Sequence, residues 1–333
     1  MARIQRITLS PRIVTQPLPT DADDPAIWVH PAQPERSLIL GTNKARAPQG
    51  AVGVYNLQGR LVQLVSHLDQ PNNIDVAYGF RLGNRKIDIA VATERYASRL
   101  RIFRIDPDRL RLEDITDLPN ARVFTEAEGE AAMPMGVALY THPTRREIFA
   151  IVSRKTGPTE GYLHQYRLVA GRNGRVGVQF VRAFGRFSGK EEIEAIAVDS
   201  PLGYVYYADE AVGIRKYYAD PTHPRAAQEI ALFATHFQGD QEGIAVYAPE
   251  ESAGWLICVE QLPDNSLWYL YPRFGRQQEP IAVVESGADE TDGLDACAQP
   301  MGRAFPAGVI VAMNSKERNF WLYSAAELRA KLR

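Results

Sequence analysis

The sequence predicts an all-β protein, a six-bladed β-propeller with four-stranded blades, and three observations lead to this prediction. Short runs rich in β-branched and aromatic residues recur along the chain, separated by Gly, Pro and Asn, as in "SLILGT", "IDIAVAT" and "GYVYYAD". Similar segments begin near residues 24, 73, 135, 194, 242 and 292, which makes the repeat 48 to 62 residues long. Four strands in each unit of about fifty residues are typical of propeller blades.

The two ends of the chain complete the predicted ring. We treat residues 1–333 as a single domain whose sixth unit lacks an outer strand. The N-terminal run "IQRITLS", at about residues 4–10, is expected to supply that strand. A short helix is expected at residues 324–332, where Ser324 and Glu327 have the spacing of a capping box.

The amino-acid composition limits the classes of partner that the protein is expected to bind. The chain has 38 Lys and Arg against 40 Asp and Glu, a net charge of −2, which indicates neither a nucleic-acid partner nor an anionic membrane surface. No apolar run approaches the ~18–20 residues of a membrane span, and the N-terminus shows no signal peptide. We therefore expect a monomer with a small-molecule partner and with any electrostatic function confined to local patches.

Polar residues recur at fixed places in the repeat. In a propeller the first strand of each blade lines the central channel, and the second strand returns to the same face. The residues at the starts of the first strands are Asp23, Asp24, Asn72, Asn73, Glu194, Asp240, Glu242 and Asp292. The polar pairs at the ends of the second strands are Asn43-Lys44, Glu94-Arg95, Arg154-Lys155, Asp209-Glu210, Glu260-Gln261 and Asn314-Ser315.

This face is therefore predicted to divide into two halves of opposite charge. Blades one to three present Lys44, Arg95, Arg154 and Lys155, and the other half presents Asp24, Glu194, Asp209, Glu210, Asp240, Glu242 and Asp292. Oxygen-only clusters suit Ca²⁺ before Mg²⁺, and the absence of His argues against zinc. The basic half suits phosphate, and we expect Lys44 and Arg95 to be exposed. A solvated polar surface is the alternative interpretation.

The stretch "DADDPAIW" carries three acidic residues in front of a predicted buried strand. Successive side chains of a strand point to opposite faces. We therefore expect Asp24 to face the channel mouth as a metal ligand, while Asp21 and Asp23 serve the local turn, the backbone or a second ion.

The ordered motifs resemble those of one family. From about Val14 to Ala326 the chain is similar to the β-propeller phytases, or alkaline phytases. The motifs that carry this resemblance are "DADDPAIWVHP", "GTNKARAPQGAVGVYNLQGRLVQ", "NNIDVAYGF", "IAVATER", "YVYYADEAVGIRKY", "DQEGIAVY" and "ETDGLD".

The resemblance implies an enzyme that removes phosphate from phytate, inositol hexakisphosphate, with several Ca²⁺ ions. It implies that Glu194 orients the attacking water and that Lys44, Arg95 and Lys155 complete the catalytic set by holding phosphate, with Arg154 as a further candidate. The implied metal ligands are Asp24, Glu194, Glu210, Glu242 and Asp292, and the candidate metal set also includes Asn72. A secreted or periplasmic location is implied as well, although a chain without a signal peptide leaves the cytoplasm open.

Some family positions differ here. Ala77 stands where the family has Arg, Met135 where it has Tyr, Thr156 where it has Glu, and Ser286, next to Glu285, where it has an acidic ligand. Three alternatives therefore stay open: another phosphoester as substrate, a catalytically weak or inactive propeller that binds calcium and an anion, and a calcium propeller hydrolase of the lactonase kind.

Overall fold

Six sheets form the blades of a ring in the computed structural model, which describes residues 4–332, and this confirms the predicted six-bladed β-propeller. Two strands, β1 (Gln5–Thr8) and β2 (Ile13–Val14), precede the first blade. Blade 1 comprises β3 (Ala22–Trp28), β4 (Leu38–Asn43), β5 (Gly50–Asn56) and β6 (Leu61–Leu68). Blade 2 comprises β7 (Pro71–Leu82), β8 (Arg85–Glu94), β9 (Arg99–Asp106) and β10 (Arg111–Asp114). Blade 3 comprises β11 (Pro134–Thr141), β12 (Ile148–Arg154), β13 (Glu160–Ala170) and β14 (Val176–Arg186).

The second half of the ring has the same strand order, with short inner strands of four residues in blades 4 and 6. Blade 4 comprises β15 (Ile196–Asp199), β16 (Tyr204–Asp209), β17 (Gly213–Tyr218) and β18 (Ala231–Phe233). Blade 5 comprises β19 (Gly243–Glu250), β20 (Ala253–Glu260), β21 (Leu267–Pro272) and β22 (Ala282–Glu285). Blade 6 comprises β23 (Leu294–Cys297), β24 (Val309–Asn314) and β25 (Asn319–Ser324), and the chain ends in α1 (Ala325–Lys331). Within each blade, successive strands pair antiparallel.

Burial follows the position of a strand within its blade. All six residues of β4 are buried, because neighbouring blades cover both faces of a second strand, whereas the outer strand β6 alternates between less and more exposed positions. Strands covered on both faces appear as continuous apolar runs, and strands covered on one face alternate. Hydrophobic clusters fill the joints between blades and fix the positions of the inner strands around the channel.

The N-terminal segment closes the ring, but its residues pair with different strands from those predicted. β1 pairs parallel with β22, as a fifth strand of blade 5. β2 pairs antiparallel with β25 and supplies the missing outer strand of blade 6. The run at residues 4–10 therefore extends blade 5, and Ile13 and Val14 complete blade 6.

The helix α1 lies where the sequence placed it, but the expected capping box does not form. Ser324 precedes the helix without a side-chain hydrogen bond to it, and its buried hydroxyl has no partner within residues 4–332. Glu327 instead accepts a hydrogen bond from Arg12 at 2.6 Å, because the N-terminal segment passes beside the helix. Between Ile4 and Leu332, no helix has both the length and the hydropathy that a membrane span requires.

Candidate functional site

Three inner strands carry a β-bulge at the channel mouth. The register shifts between Ala22 and Pro25 in β3, between Pro71 and Ile74 in β7, and between Pro134 and Val137 in β11. A bulge sets two residues against one on the partner strand and leaves a backbone group unpaired. Asp23 and Asp24 of "DADDPAIW" and the two asparagines of "PNNID" lie in such bulges, so adjacent side chains there need not point to opposite faces.

A hydroxyl near the end of the second strand pairs with each bulge. It accepts the N–H of a bulged residue of its own blade and donates to a backbone carbonyl of the next blade. We call this arrangement a hydroxyl latch. The N–H bonds are Asp24 to Thr42 (3.0 Å), Asn73 to Thr93 (3.1 Å) and Gly136 to Ser153 (2.8 Å). The carbonyl bonds are Thr42 to Asn72 (2.6 Å), Thr93 to Met135 (2.7 Å) and Ser153 to Ile193 (2.5 Å).

Lys44 contacts carboxylates of two blades. Its ammonium pairs closely with Asp23 and lies 3.6 Å from Asp292, and its side chain is only 20% exposed. Burial alone would lower the pKa of Lys44, but the charges of Asp23, Glu194 and Asp292 outweigh it, and the pKa is raised. The prediction that Lys44 is an exposed charge was therefore wrong: it is a largely buried counter-ion.

Arg95 and Glu194 meet through Asn72. Arg95 lies 3.4 Å from the Glu194 carboxylate and donates to the Asn72 side-chain oxygen. The Asn72 amide group in turn donates to Glu194 at 2.9 Å. Both charged side chains are nearly buried, at 11% and 12% exposure. This triad joins blade 2 to blade 4 across the channel mouth, since the loop that carries Glu194 leads into β15.

Lys155 has a partner that sequence reasoning missed. Its ammonium pairs closely with Glu192, and the two side chains are 30% and 27% exposed. The Glu192 backbone N–H also donates to Glu210 at 3.1 Å. The only signal in the sequence was the acidic run "KEEIE", in which Glu194 alone was selected. We call Lys44, Arg95 and Lys155 together the basic arc.

Carboxylates cluster on the opposite side of the mouth and raise one another's pKa values. Burial and the neighbouring charges of Glu194 and Asp240 raise the pKa of Glu210 to about 8. Burial, followed by the carboxylates of Glu194, Glu210 and Asp292, raises the pKa of Glu242 well above its usual range. The pKa of Asp292 is raised by burial and by Asp23, although Lys44 opposes the shift. We call Glu194, Glu210, Glu242 and Asp292 the acidic arc.

Asp24 lies in the channel and shares a cavity lining with Glu242 of the acidic arc. One of its carboxylate oxygens accepts the Ile74 N–H at 2.9 Å, and the residue lines a channel cavity of about 180 Å³ together with Asp75 and Asp295. Asp23, assigned to a local turn or a second ion from the sequence, contacts Lys44 at the mouth. Simple strand alternation failed here because the bulge in β3 gives both aspartates access to the channel axis.

Arg154 is not part of the basic arc. Its side chain is 6% exposed and contacts Glu126 and His164, on the opposite side of β12 from the position that Lys155 takes at the mouth. The two members of each polar pair thus have different roles, because strand alternation separates them.

Three of the positions that differ from the family, Ala77, Met135 and Ser286, have buried side chains. The Ser286 hydroxyl donates to the Ser266 carbonyl. Glu285 cannot readily stand in for an acidic ligand at Ser286, because it pairs with Arg6 and accepts from Thr8 of β1.

The donor set at the mouth fits a hard cation. Every candidate ligand is an oxygen, and one Glu210 carboxylate oxygen is buried without a hydrogen-bond partner within the described residues. Calcium accepts six to eight oxygens in irregular geometry. No group of three or more His, Cys, Asp or Glu side chains in the described part of the chain stands ready to hold a metal ion. Lys44, Arg95 and Gln261 engage several of the carboxylates instead.

Comparisons with known proteins identify the family of the chain. A family model described as Phytase matches residues 4–320. The 3-phytase of Bacillus subtilis (strain 168) is 32% identical over 306 residues, which cover 89% of this chain and 75% of that protein.

Two solved structures share the fold at low identity. An α-L-arabinanase of Penicillium chrysogenum matches with a TM-score of 0.58 at 11% identity, over 95% of this chain and 97% of that one. A luciferin-regenerating enzyme matches with a TM-score of 0.53 at 12% identity, over 93% and 94%. These structures support the propeller fold alone. The family model and the curated relative, each spanning most of the sequence, show that the chain belongs to the phytase family.

Proposed function

We propose that the protein is a calcium-dependent phosphomonoester hydrolase that releases phosphate from phytate or a related phosphorylated polyol. The observation that carries the proposal is the position of Glu194, which contacts Arg95 and Asn72 where the basic arc meets the acidic arc. A carboxylate between phosphate-binding cations and oxygen ligands has the surroundings that metal-assisted attack of water on phosphorus requires.

The residues of the mouth divide this work. Lys44, Arg95 and Lys155 hold the oxygens of the phosphate by charge-assisted hydrogen bonds. Glu194 orients the attacking water and accepts its proton as a general base. The residues that would hold calcium are Asp24, Asn72, Glu194, Glu210, Glu242 and Asp292. Bound calcium would neutralise phosphate charge and polarise the water and the phosphoryl oxygens.

The basic arc needs counter-charge in the metal-free chain. Lys44, Arg95 and Lys155 are all paired with carboxylates. A cation that takes up Glu194 and Asp292 as ligands would weaken their pairing with Arg95 and Lys44. We therefore propose that metal and phosphate bind cooperatively at the mouth.

Phosphate release from phytate, measured in millimolar calcium and in EDTA, tests the proposal. We expect release in calcium, little in EDTA, and a loss of about 10²–10⁴ in kcat for Glu194→Gln. Glu191→Gln, an exposed neighbour in the same loop, should retain activity and is the matched control.

Three other outcomes separate the alternatives. Equal release in calcium and in EDTA would contradict the metal dependence. A phytate-induced rise in Tm without release would support a binding propeller. Turnover of a lactone but not of phytate would favour the lactonase alternative.

A further inference from the structure

One position of the repeat is chemically different in blade 3. The first member of each polar pair is buried, and in five blades it is an acceptor that receives a backbone N–H from the loop before its own inner strand. These bonds run from Thr20 and Asp21 to Asn43, from Asp69 to Glu94, from Ser188 to Asp209, from Gln238 and Gly239 to Glu260, and from Asp289 to Asn314. Blade 3 has Arg154 here, a donor that cannot accept any N–H.

Arg154 instead holds an anion. Its Nη1 donates to the carboxylate of Glu126 at 3.2 Å, and its Nε donates to the Tyr162 carbonyl at 3.3 Å. Its Nη2 lies 3.0 Å from His164 Nε2. Three of the five guanidinium N–H groups thus have partners, and the contacts in the described residues give the other two none.

His164 completes the surroundings of Arg154. Its Nδ1 lies 3.0 Å from the Tyr166 hydroxyl, which accepts the Phe124 N–H at 2.8 Å. Burial and then the charge of Arg154 lower the pKa of His164 to about 4, so the ring is neutral at neutral pH. Arg154 is therefore the permanent cation of this cluster.

The anion that faces Arg154 is replaceable. The Glu126 side chain is 55% exposed, whereas the side chains of Arg154 and His164 are 6% and 7% exposed. Ordering an exposed glutamate offsets much of what its ion pair contributes, so such pairs are weak. A buried, fixed guanidinium is by contrast pre-organised to bind a carboxylate through two N–H groups.

A cleft of about 730 Å³ leads to this cluster. Its lining includes Arg154, His164 and Tyr166, and the Phe180 ring, which is 53% exposed, stands at its edge. We call it the blade-3 cleft. Phe180 packs against His164 with ring centroids 4.9 Å apart, so an apolar surface lies beside the cation. Clefts of roughly 300–1,000 Å³ with apolar walls and a few polar groups are typical of small-molecule sites.

We propose that the blade-3 cleft is a second binding site, separate from the channel mouth, for a small carboxylate with an aromatic body. The carboxylate takes the place of Glu126 on Arg154, and the body packs on Phe180. A free carboxylate and the Glu126 side chain compete for one guanidinium, so occupancy releases the loop that carries Glu126.

Isothermal titration of the full chain with benzoate, in EDTA, tests the proposal. We expect saturable binding of one benzoate, tightened about tenfold in Glu126→Gln, because removing the internal carboxylate removes a charge-assisted competitor. Glu128→Gln, an exposed acid two residues along the same loop, is the matched control and should bind like the wild type. Phe180→Ala should weaken benzoate binding severalfold, and Arg154→Met should abolish it.

Titrations with acetate and with inorganic phosphate distinguish the contribution of the ligand's anionic head group from that of its aromatic body. Acetate should bind more weakly than benzoate, because it has no surface to place on Phe180. If neither the wild type nor Glu126→Gln binds benzoate saturably, the proposal is overturned. Equal benzoate affinities of Glu126→Gln and Glu128→Gln would also overturn it, as would a Glu126→Gln substitution that tightens inorganic phosphate binding more than it tightens benzoate binding. Glu126 and Phe180 are exposed, so these variants decide the matter even if Arg154→Met does not fold.

Discussion

Blades 1 to 3 and blades 4 to 6 have the same strand order, but their inner strands differ in structure at the channel mouth. The first three inner strands carry bulges closed by hydroxyl latches from Thr42, Thr93 and Ser153. The matching positions of the other blades are Ala208, Val259 and Met313, which have no hydroxyl. In two of these blades, the backbone N–H groups of Ala208 and Met313 donate to Ala195 and Gly293, the residues directly before the inner strands.

The difference places two kinds of chemistry on one ring. The residue two positions after each latch hydroxyl is Lys44, Arg95 or Lys155, and the corresponding residues of blades 4 to 6 are Glu210, Gln261 and Ser315. A repeat fixes where a side chain lies, and the residue type then decides what that position binds. The latched half holds cations against carboxylates of other blades, and the other half collects carboxylates.

The junction between the halves should be the most sensitive point. Gly136, in the bulge of β11, lies so close to Glu194 that a Cβ would overlap the Glu194 backbone carbonyl. Gly136→Ala should therefore displace Glu194 and lower phosphate release more than about 100-fold, with a lower Tm. Gly83→Asn is the control, since nothing lies within 4 Å and Asn tolerates its φ of +60°. Near-normal activity in Gly136→Ala would show that the junction can shift without cost.

The acidic half should make the metal-free protein less stable as pH rises. The pKa of Glu210 is about 8 in the fold against a usual 4.5, so the native state binds more protons than the unfolded state between these values. Its contribution is most favourable below pH 4.5 and falls by on the order of 4 kcal/mol by pH 8. Thermal unfolding in EDTA from pH 5 to pH 9 should show a falling Tm.

Two comparisons isolate the source of that trend. Glu210→Gln should flatten the profile, whereas Glu251→Gln, an exposed acid elsewhere, should leave it unchanged. Saturating calcium should raise Tm most at high pH, because the ion binds the ionised carboxylates. A Tm that rises from pH 5 to pH 8 in EDTA would contradict the raised pKa of Glu210.

The sequence predicted the blades better than the mouth. The fifty-residue period and the polar pairs located the inner strands and the basic arc, because both follow from repeat and direction reversal. The opposite orientations expected for Asp23 and Asp24 rested on strand alternation, which fails in a bulge, and the sequence "DADDPAIW" does not reveal a bulge. The hydroxyls of "GTNK", "ATER" and "VSRK" were the available signal, since each follows an apolar run and precedes a polar pair.

Removing one latch should weaken the latched half by a smaller amount. Thr93→Val keeps the shape of the side chain but leaves the Asn73 N–H and the Met135 carbonyl without their partner. A loss of about 1–3 kcal/mol in the free energy of unfolding is expected for such buried groups. Chemical denaturation provides the measurement, with Thr144→Val on an exposed turn as the control. Equal stabilities of the two variants would mean that the latch contributes nothing.

The smallest expected effect concerns Glu192, which neutralises Lys155 within the basic arc. Glu192→Gln should free Lys155 and tighten the binding of inorganic phosphate a few-fold, since a partly exposed pair contributes on the order of 1 kcal/mol. Titration calorimetry gives the affinity, and Glu191→Gln is the neighbouring control. Weaker phosphate binding in Glu192→Gln would show that the glutamate supports the site instead of competing for it.

The closure of the ring has a consequence for the order in which the protein is made. β1 and β2 leave the ribosome before any blade, yet their partners β22 and β25 are among the last segments synthesised. At translation rates of about 5–20 residues per second, the roughly 300 intervening residues take on the order of 15–60 s. During that time the N-terminal segment has no native partner, and the growing chain offers an open sheet edge. A nascent chain of this protein therefore cannot close its ring until the final strand emerges.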